Sequence, residues 1–172
     1  ADDLEQSRNL YYEIMDSIDL NLFCELLRCA QAKSAKNMIN KTLAVIEQTP
    51  GFGEEYIRCI YYTYQYGILY ICNEFKCNSG VEISQVAYMA QANVHELFEK
   101  LLTCIDKLCE DIIAQQQMAS EQLGKEIIQF IKDNFTNPDM YAKLVIERFS
   151  ISEHALQKYV QNITGKSFFE YL

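Results

Sequence analysis

Chain breakers are scarce in this sequence. Two prolines and six glycines are scattered through 172 residues, among stretches rich in Leu, Ile, Glu, Gln, Lys and Ala, the residues that lose little rotamer freedom in a helix. That scarcity points to a chain mostly or wholly α-helical. Long apolar runs are missing too: the longest uncharged stretch, Cys59 to Asn73, has 15 residues, and a membrane span needs about 20 predominantly apolar ones. This excludes a transmembrane helix and implies no membrane contact. The opening "ADDLEQSRNL" lacks the basic and apolar regions of a signal peptide, so a cytoplasmic location is the expectation. Histidine occurs only twice; His95 reads as a surface or capping residue, with no partner set that would make a catalytic site. No paired carboxylates, nucleophile–base pair or Gly-rich phosphate loop stands out, so no enzyme activity is expected.

What is present is a globular balance, 49% apolar and 23% charged residues, enough for a real core. Seven cysteines, an odd number without an export signal, read as reduced and partly buried thiols. Three pairs share the spacing C-x4-C: Cys24/Cys29, Cys72/Cys77 and Cys104/Cys109. Residues five apart on a helix lie roughly 140° apart around its axis, which does not bring two zinc ligands together. No metal and no cofactor is expected.

Helical periodicity runs from the start. Leu10, Ile14 and Ile18, then Leu22, Leu26 and Leu27, recur at three- and four-residue steps, with a break between Asp16 and Asp19. A helix over 34–48 carries Met38, Ile39, Leu43 and Ile46 and stops at "TPGFG". The next, "EEYIRCIYYTYQYGILYICNEFKC", holds six of the twelve tyrosines between Tyr56 and Tyr70. Two readings stand side by side. Tyr56, Ile60, Tyr64 and Ile68 form a core face with Tyr62, Tyr66 and Tyr70 along a half-exposed seam, or Tyr62, Tyr66 and Tyr70 line a ligand pocket. After "NSG" comes a short helical piece over 83–91. Asn93 then caps, with Glu96 in capping-box position, a long helix carrying Leu97, Leu101, Ile105, Leu108 and Ile112. The polar run "QQQMASEQLGK" loses apolar periodicity and marks a joint, 116–124, as a linker or a helical joint. Beyond it Ile127, Ile128, Ile131 and Phe135 give "EIIQFIKDNFTNPD" an apolar face that Asn137-Pro138 ends.

The last third changes character. Ala142, Val145, Ile146 and Phe149 form the inner face of a short helix, Ser150 and Ile151 make a tight connection, and Ser152 caps another helix. There Leu156, Tyr159, Val160 and Ile163 point inward, leaving His154, Gln157, Lys158 and Gln161 outward, a helix-turn-helix pattern with donors and acceptors able to meet base edges and phosphates.

Residues 122–172 resemble the first helix-turn-helix of the AraC/XylS family of bacterial transcription regulators. "IIQFIKDNF", "NPDMYAKLVIERFS" and "ISEHALQKYVQNITGKSFFEYL" follow the family's order without gaps, including its S-x-x-x-L-x-(R/K), T-G-(K/M)-(S/T)-F and E-Y-L elements. The resemblance implies duplex DNA as partner, with His154, Gln157 and Lys158 at the bases and Lys143, Arg148 and Lys166 near phosphates. It also implies Ser152, Leu156, Gly165, Phe168 and Tyr171 as framework, and a second helix-turn-helix beyond Leu172. Ala142 and Ile146 exchange the family's large and small residues, Ser150 stands where Gly is frequent, and Tyr141 replaces a Ser/Thr cap, leaving Asp139 as substitute. "VQN" replaces a more basic stretch.

Charge is divided unevenly. Residues 125–172 hold six Lys/Arg and six Asp/Glu, so the remaining nine basic and eighteen acidic residues place the whole net charge of −9 on residues 1–124. A neutral reader beside an acidic body is expected to bind DNA weakly, because phosphate affinity grows with cationic contacts. Residues 1–115 loosely resemble the all-helical segment preceding this module in regulators of Gram-positive bacteria related to polysaccharide and sugar uptake. That implies a regulatory domain that senses a small-molecule or protein effector or forms a homodimer. The expected organisation is therefore all-α: a helical bundle regulatory domain (1–115), a joint (116–124) and a three-helix helix-turn-helix unit (125–172). The alternative is an all-α protein-interaction or dimerisation module whose helix-turn-helix is structural.

Overall fold

A computed structural model describes residues 2–79, 93–136 and 141–172, with side chains from Glu5 onward. The fold is all-α, with no strand among the described residues: α1 (Asp2–Ser17), α2 (Leu20–Arg28), α3 (Ala32–Glu47), α4 (Glu54–Phe75), α5 (Val94–Asn134), α6 (Ala142–Phe149), α7 (Glu153–Thr164) and α8 (Phe168–Tyr171). None of these helices is long and apolar enough to cross a membrane. The chain divides into two compact units, Ala1–Ala114 and Gln115–Leu172. The expected helical piece over 83–91 and the substitute cap Asp139 lie outside the described residues.

In the first unit the breaks follow local chemistry. Between α1 and α2 the Asp19 carboxylate accepts the Leu22 N–H at 2.9 Å, an N-cap that satisfies one orphan donor. Gly51 takes φ 79° in the turn before α4, a left-handed conformation that Gly adopts without a Cβ clash. Asn93 accepts the Glu96 N–H at 2.9 Å at the head of α5. The core joins Phe23 and Leu27 of α2 and Ile39 and Leu43 of α3 to Ile60, Tyr64 and Ile68 of α4, and to Phe98, Leu101, Ile105, Leu108 and Ile112 of α5. Leu22, expected in the apolar stripe of α2, is instead 48% exposed. The stripe turns by one residue to Phe23 because Gly67 of α4 leaves room for its ring. A Cβ on Gly67 would lie 2.9 Å from Phe23 Cδ1 and 3.1 Å from Leu20 Cδ1.

The second unit has its own core of Ile127, Ile128 and Ile131 from α5, Val145 from α6, Leu156 and Val160 from α7 and Phe168 from α8. Two residues expected to face inward do not. Phe135 lies past the last turn of α5 and is 66% exposed, because the helix ends before its position in the stripe is fixed. Ile163 is 44% exposed, yet its side chain lies over Gly124, where an added Cβ would sit 2.6 Å from Ile163 Cδ1. The polar stretch read as a linker or joint is helical throughout, within α5. Its Gln, Ala, Met and Glu are good helix formers, and its lost apolar periodicity appears as exposure: every residue from 113 to 122 faces solvent.

Candidate nucleic-acid interface

The chemistry the sequence points to is carried by α6, the connection Ser150–Ser152 and α7. Helix α6 begins at Tyr141 with no side-chain cap and presents Val145 fully buried to the unit's core. Its end is set by Ser150, held at φ 53°, ψ 42°, while the Ile151 N–H closes the turn on the Ile146 carbonyl at 3.2 Å. A left-handed residue with a Cβ costs roughly 1–2 kcal/mol, tolerated here because it reverses the chain within three residues. Ser152 then returns to extended backbone, and its Oγ accepts the Ala155 N–H at 3.1 Å. Leu156 and Val160, one turn apart, are fully buried and fix which side of α7 faces out.

On that outer side His154, Lys158 and Gln161 are exposed, at successive turns i, i+4 and i+7 of one face. Gln157 does not join them. It is half-buried, and its Oε1 accepts the backbone N–H of Phe168 at 3.1 Å, so its carbonyl oxygen is engaged at the start of α8. This differs from the expectation that Gln157 stands outward beside His154 and Lys158. No helical pattern could reveal that an N–H eleven residues on would need an acceptor. Gln161, outward by pattern, takes the third place in the row. Among the residues expected near phosphates, Lys143, Arg148 and Lys166 are all exposed. Lys143 lies 3.7 Å from Glu147 on the same helix, an exposed pair of small energetic weight.

No protein-family model, curated protein or solved structure matches this chain. What the site can do therefore rests on its own geometry.

The framework residues hold the segment together. Gly165 ends α7 at φ 74°, and its N–H reaches the Gln161 carbonyl at 2.9 Å. Phe168 is fully buried and Tyr171 half-buried. One signal went unread in the sequence: "SFFE" forms a reciprocal capping box, in which Ser167 Oγ accepts the Glu170 N–H at 3.3 Å and Glu170 Oε2 accepts the Ser167 N–H at 2.8 Å. Hydrogen bonds from Ser167 hold the Glu170 carboxyl below its ordinary pKa, which keeps the box closed at neutral pH.

The tyrosine row of α4 divides. Tyr62, Tyr66 and Tyr70 are all exposed. Tyr66 and Tyr70 stack with centroids 6.2 Å apart and border a common cavity. Tyr62 packs edge-on against Tyr61 at 5.7 Å and is not among that cavity's walls. His95 lies exposed between Glu47, 3.4 Å away, and Glu99, 3.6 Å away.

Proposed function

We propose that residues 142–164 are a helix-turn-helix of AraC/XylS type through which this chain reads duplex DNA as a transcription regulator. Helix α7 enters the major groove, and His154, Lys158 and Gln161 face base edges. The observation that carries the reading is the exposed row of those three side chains on a Ser-capped helix that buries Leu156 and Val160 on its opposite face. A Lys can bind guanine O6/N7, and a Gln can pair with adenine N6/N7. Lys143, Arg148 and Lys166 supply phosphate contacts. Residues 125–172 carry no net charge, so binding is weak and strongly salt-dependent, in the range of non-specific complexes, about 10⁻⁴–10⁻⁶ M.

The test is an amide NMR titration with a random-sequence duplex of about 20 base pairs at about 50 mM salt, repeated at about 200 mM. Shifts confined to 142–166 that fade at the higher salt support the reading. Shifts absent there overturn it in favour of an all-α interaction module whose turn is structural, the reading favoured by the engagement of Gln157 with α8. A salt-resistant submicromolar complex contradicts the charge argument.

A further inference from the structure

A cavity of about 400 Å³ lies between α2 and α4, walled in part by Leu20, Cys24, Glu25 and Arg28 and by Tyr66 and Tyr70. Its size falls within the range of small-molecule sites, roughly 300–1,000 Å³. The two tyrosines are one helical turn apart, with their ring planes only 27° from parallel. Tyr66 is 60% exposed and Tyr70 49%, so their rings are open to a ligand rather than spent on the core. Aromatic ring faces carry negative charge density and attract cations.

The charged groups lean the same way. Arg28 donates from Nε and Nη2 to the two carboxylate oxygens of Glu74, at 2.8 and 2.9 Å, and from Nη1 to Glu25. Glu74 lies behind Arg28 rather than on the cavity wall, and its bidentate pairing neutralises the guanidinium, so that Glu25 is the surplus charge of the three-group cluster. The hydrogen bonds from Arg28 hold the Glu74 carboxyl below its ordinary range, so both members of that pair stay ionised at neutral pH. Burial pushes the Cys24 thiol up, and it contributes a neutral wall. All of the chain's net charge of −9 lies on residues 1–124, a field that concentrates cations and repels anions. An anionic ligand would meet ring faces and surplus carboxylate, and an uncharged apolar one would gain nothing from Glu25.

We propose that this cavity binds a small organic cation, an alkylammonium or quaternary ammonium group seated against the faces of Tyr66 and Tyr70 with Glu25 as its counter-charge. The site is independent of the DNA reading and stands or falls separately from it.

The probe is choline, compared with its uncharged carbon isostere 3,3-dimethylbutan-1-ol, in an amide NMR titration of the whole chain. Choline should saturate with a Kd on the order of 1 mM, as expected for half-exposed cation–π contacts, and the isostere should bind at least about tenfold more weakly. Tyr66→Ala, Tyr70→Ala and Glu25→Gln should each weaken choline at least about fivefold. Tyr62→Ala, on the same helix but outside the cavity, should leave it unchanged. The proposal is overturned by equal affinity for the two probes, by equal loss in Tyr62→Ala, or by no saturable shift up to about 50 mM.

Discussion

Two tyrosines three residues apart on α4 are buried under opposite conditions. The Tyr64 hydroxyl lies 2.7 Å from Thr42 Oγ1 and 3.4 Å from the Met38 carbonyl, whereas the Tyr61 hydroxyl is buried with no hydrogen-bond partner among the described residues. An unsatisfied buried hydroxyl carries its full desolvation cost. Tyr61→Phe is therefore expected to stabilise the first unit by about 1 kcal/mol, and Tyr64→Phe to destabilise it by a similar amount. Urea denaturation of the two variants checks this; a loss of stability in Tyr61→Phe would show that its hydroxyl has a partner after all. Gly67 poses a steric question of the same kind. Its missing Cβ admits the Phe23 ring, which is fully buried and has nowhere to retreat, so Gly67→Ala should cost about 1–3 kcal/mol despite alanine's better helix propensity. An unchanged denaturation midpoint would mean that α2 shifts to make room.

Helix ends were the most legible part of this sequence. Asn93 and Ser152 each place a short polar side chain before an apolar run and accept a backbone N–H as caps, and Asp19, at the expected break, caps α2. Face assignments were less legible wherever apolar residues were plentiful. In "LNLFCELLR" two overlapping stripes fit equally well, and the choice of Phe23 over Leu22 was made by a glycine more than forty residues away. Gln157 was misjudged for a related reason, since its acceptor role depends on where α8 begins. The turn between α6 and α7 allows a prediction on its own scale. Ser150 sits at φ 53°, so Ser150→Gly should raise the second unit's stability by about 1 kcal/mol, whereas Ser152→Ala should lower it by about as much through loss of the cap. Thermal melts of the two variants moving in the same direction would contradict this account.

The two units should respond differently to alkali. Burial pushes Cys109 up to about 11 and Tyr61 up to about 12, and it raises Tyr64 as well. These groups are neutral when protonated. The unfolded chain, with thiols near 8.5 and phenols near 10, loses their protons first as pH rises. Their contribution is thus intact below the unfolded values and drains away between about pH 9 and 12. All three belong to Ala1–Ala114. Urea midpoints at about pH 7 and pH 10.5 should fall for the transition reported by the first unit and hold for that of the second; a parallel fall would show that alkaline loss arises elsewhere.

Between the two cores runs a length of α5, Ile113 to Gln122, that faces water on every side. No residue of this stretch is buried, so the backbone ladder, helix propensity and exposed contacts such as Gln122 with Glu126 maintain it, and helices without a buried face are marginal by themselves. Transient unwinding there is therefore cheap compared with opening either core. The peptide amides of that strip will trade hydrogen for deuterium well ahead of those of α5 whose side chains are buried in either core.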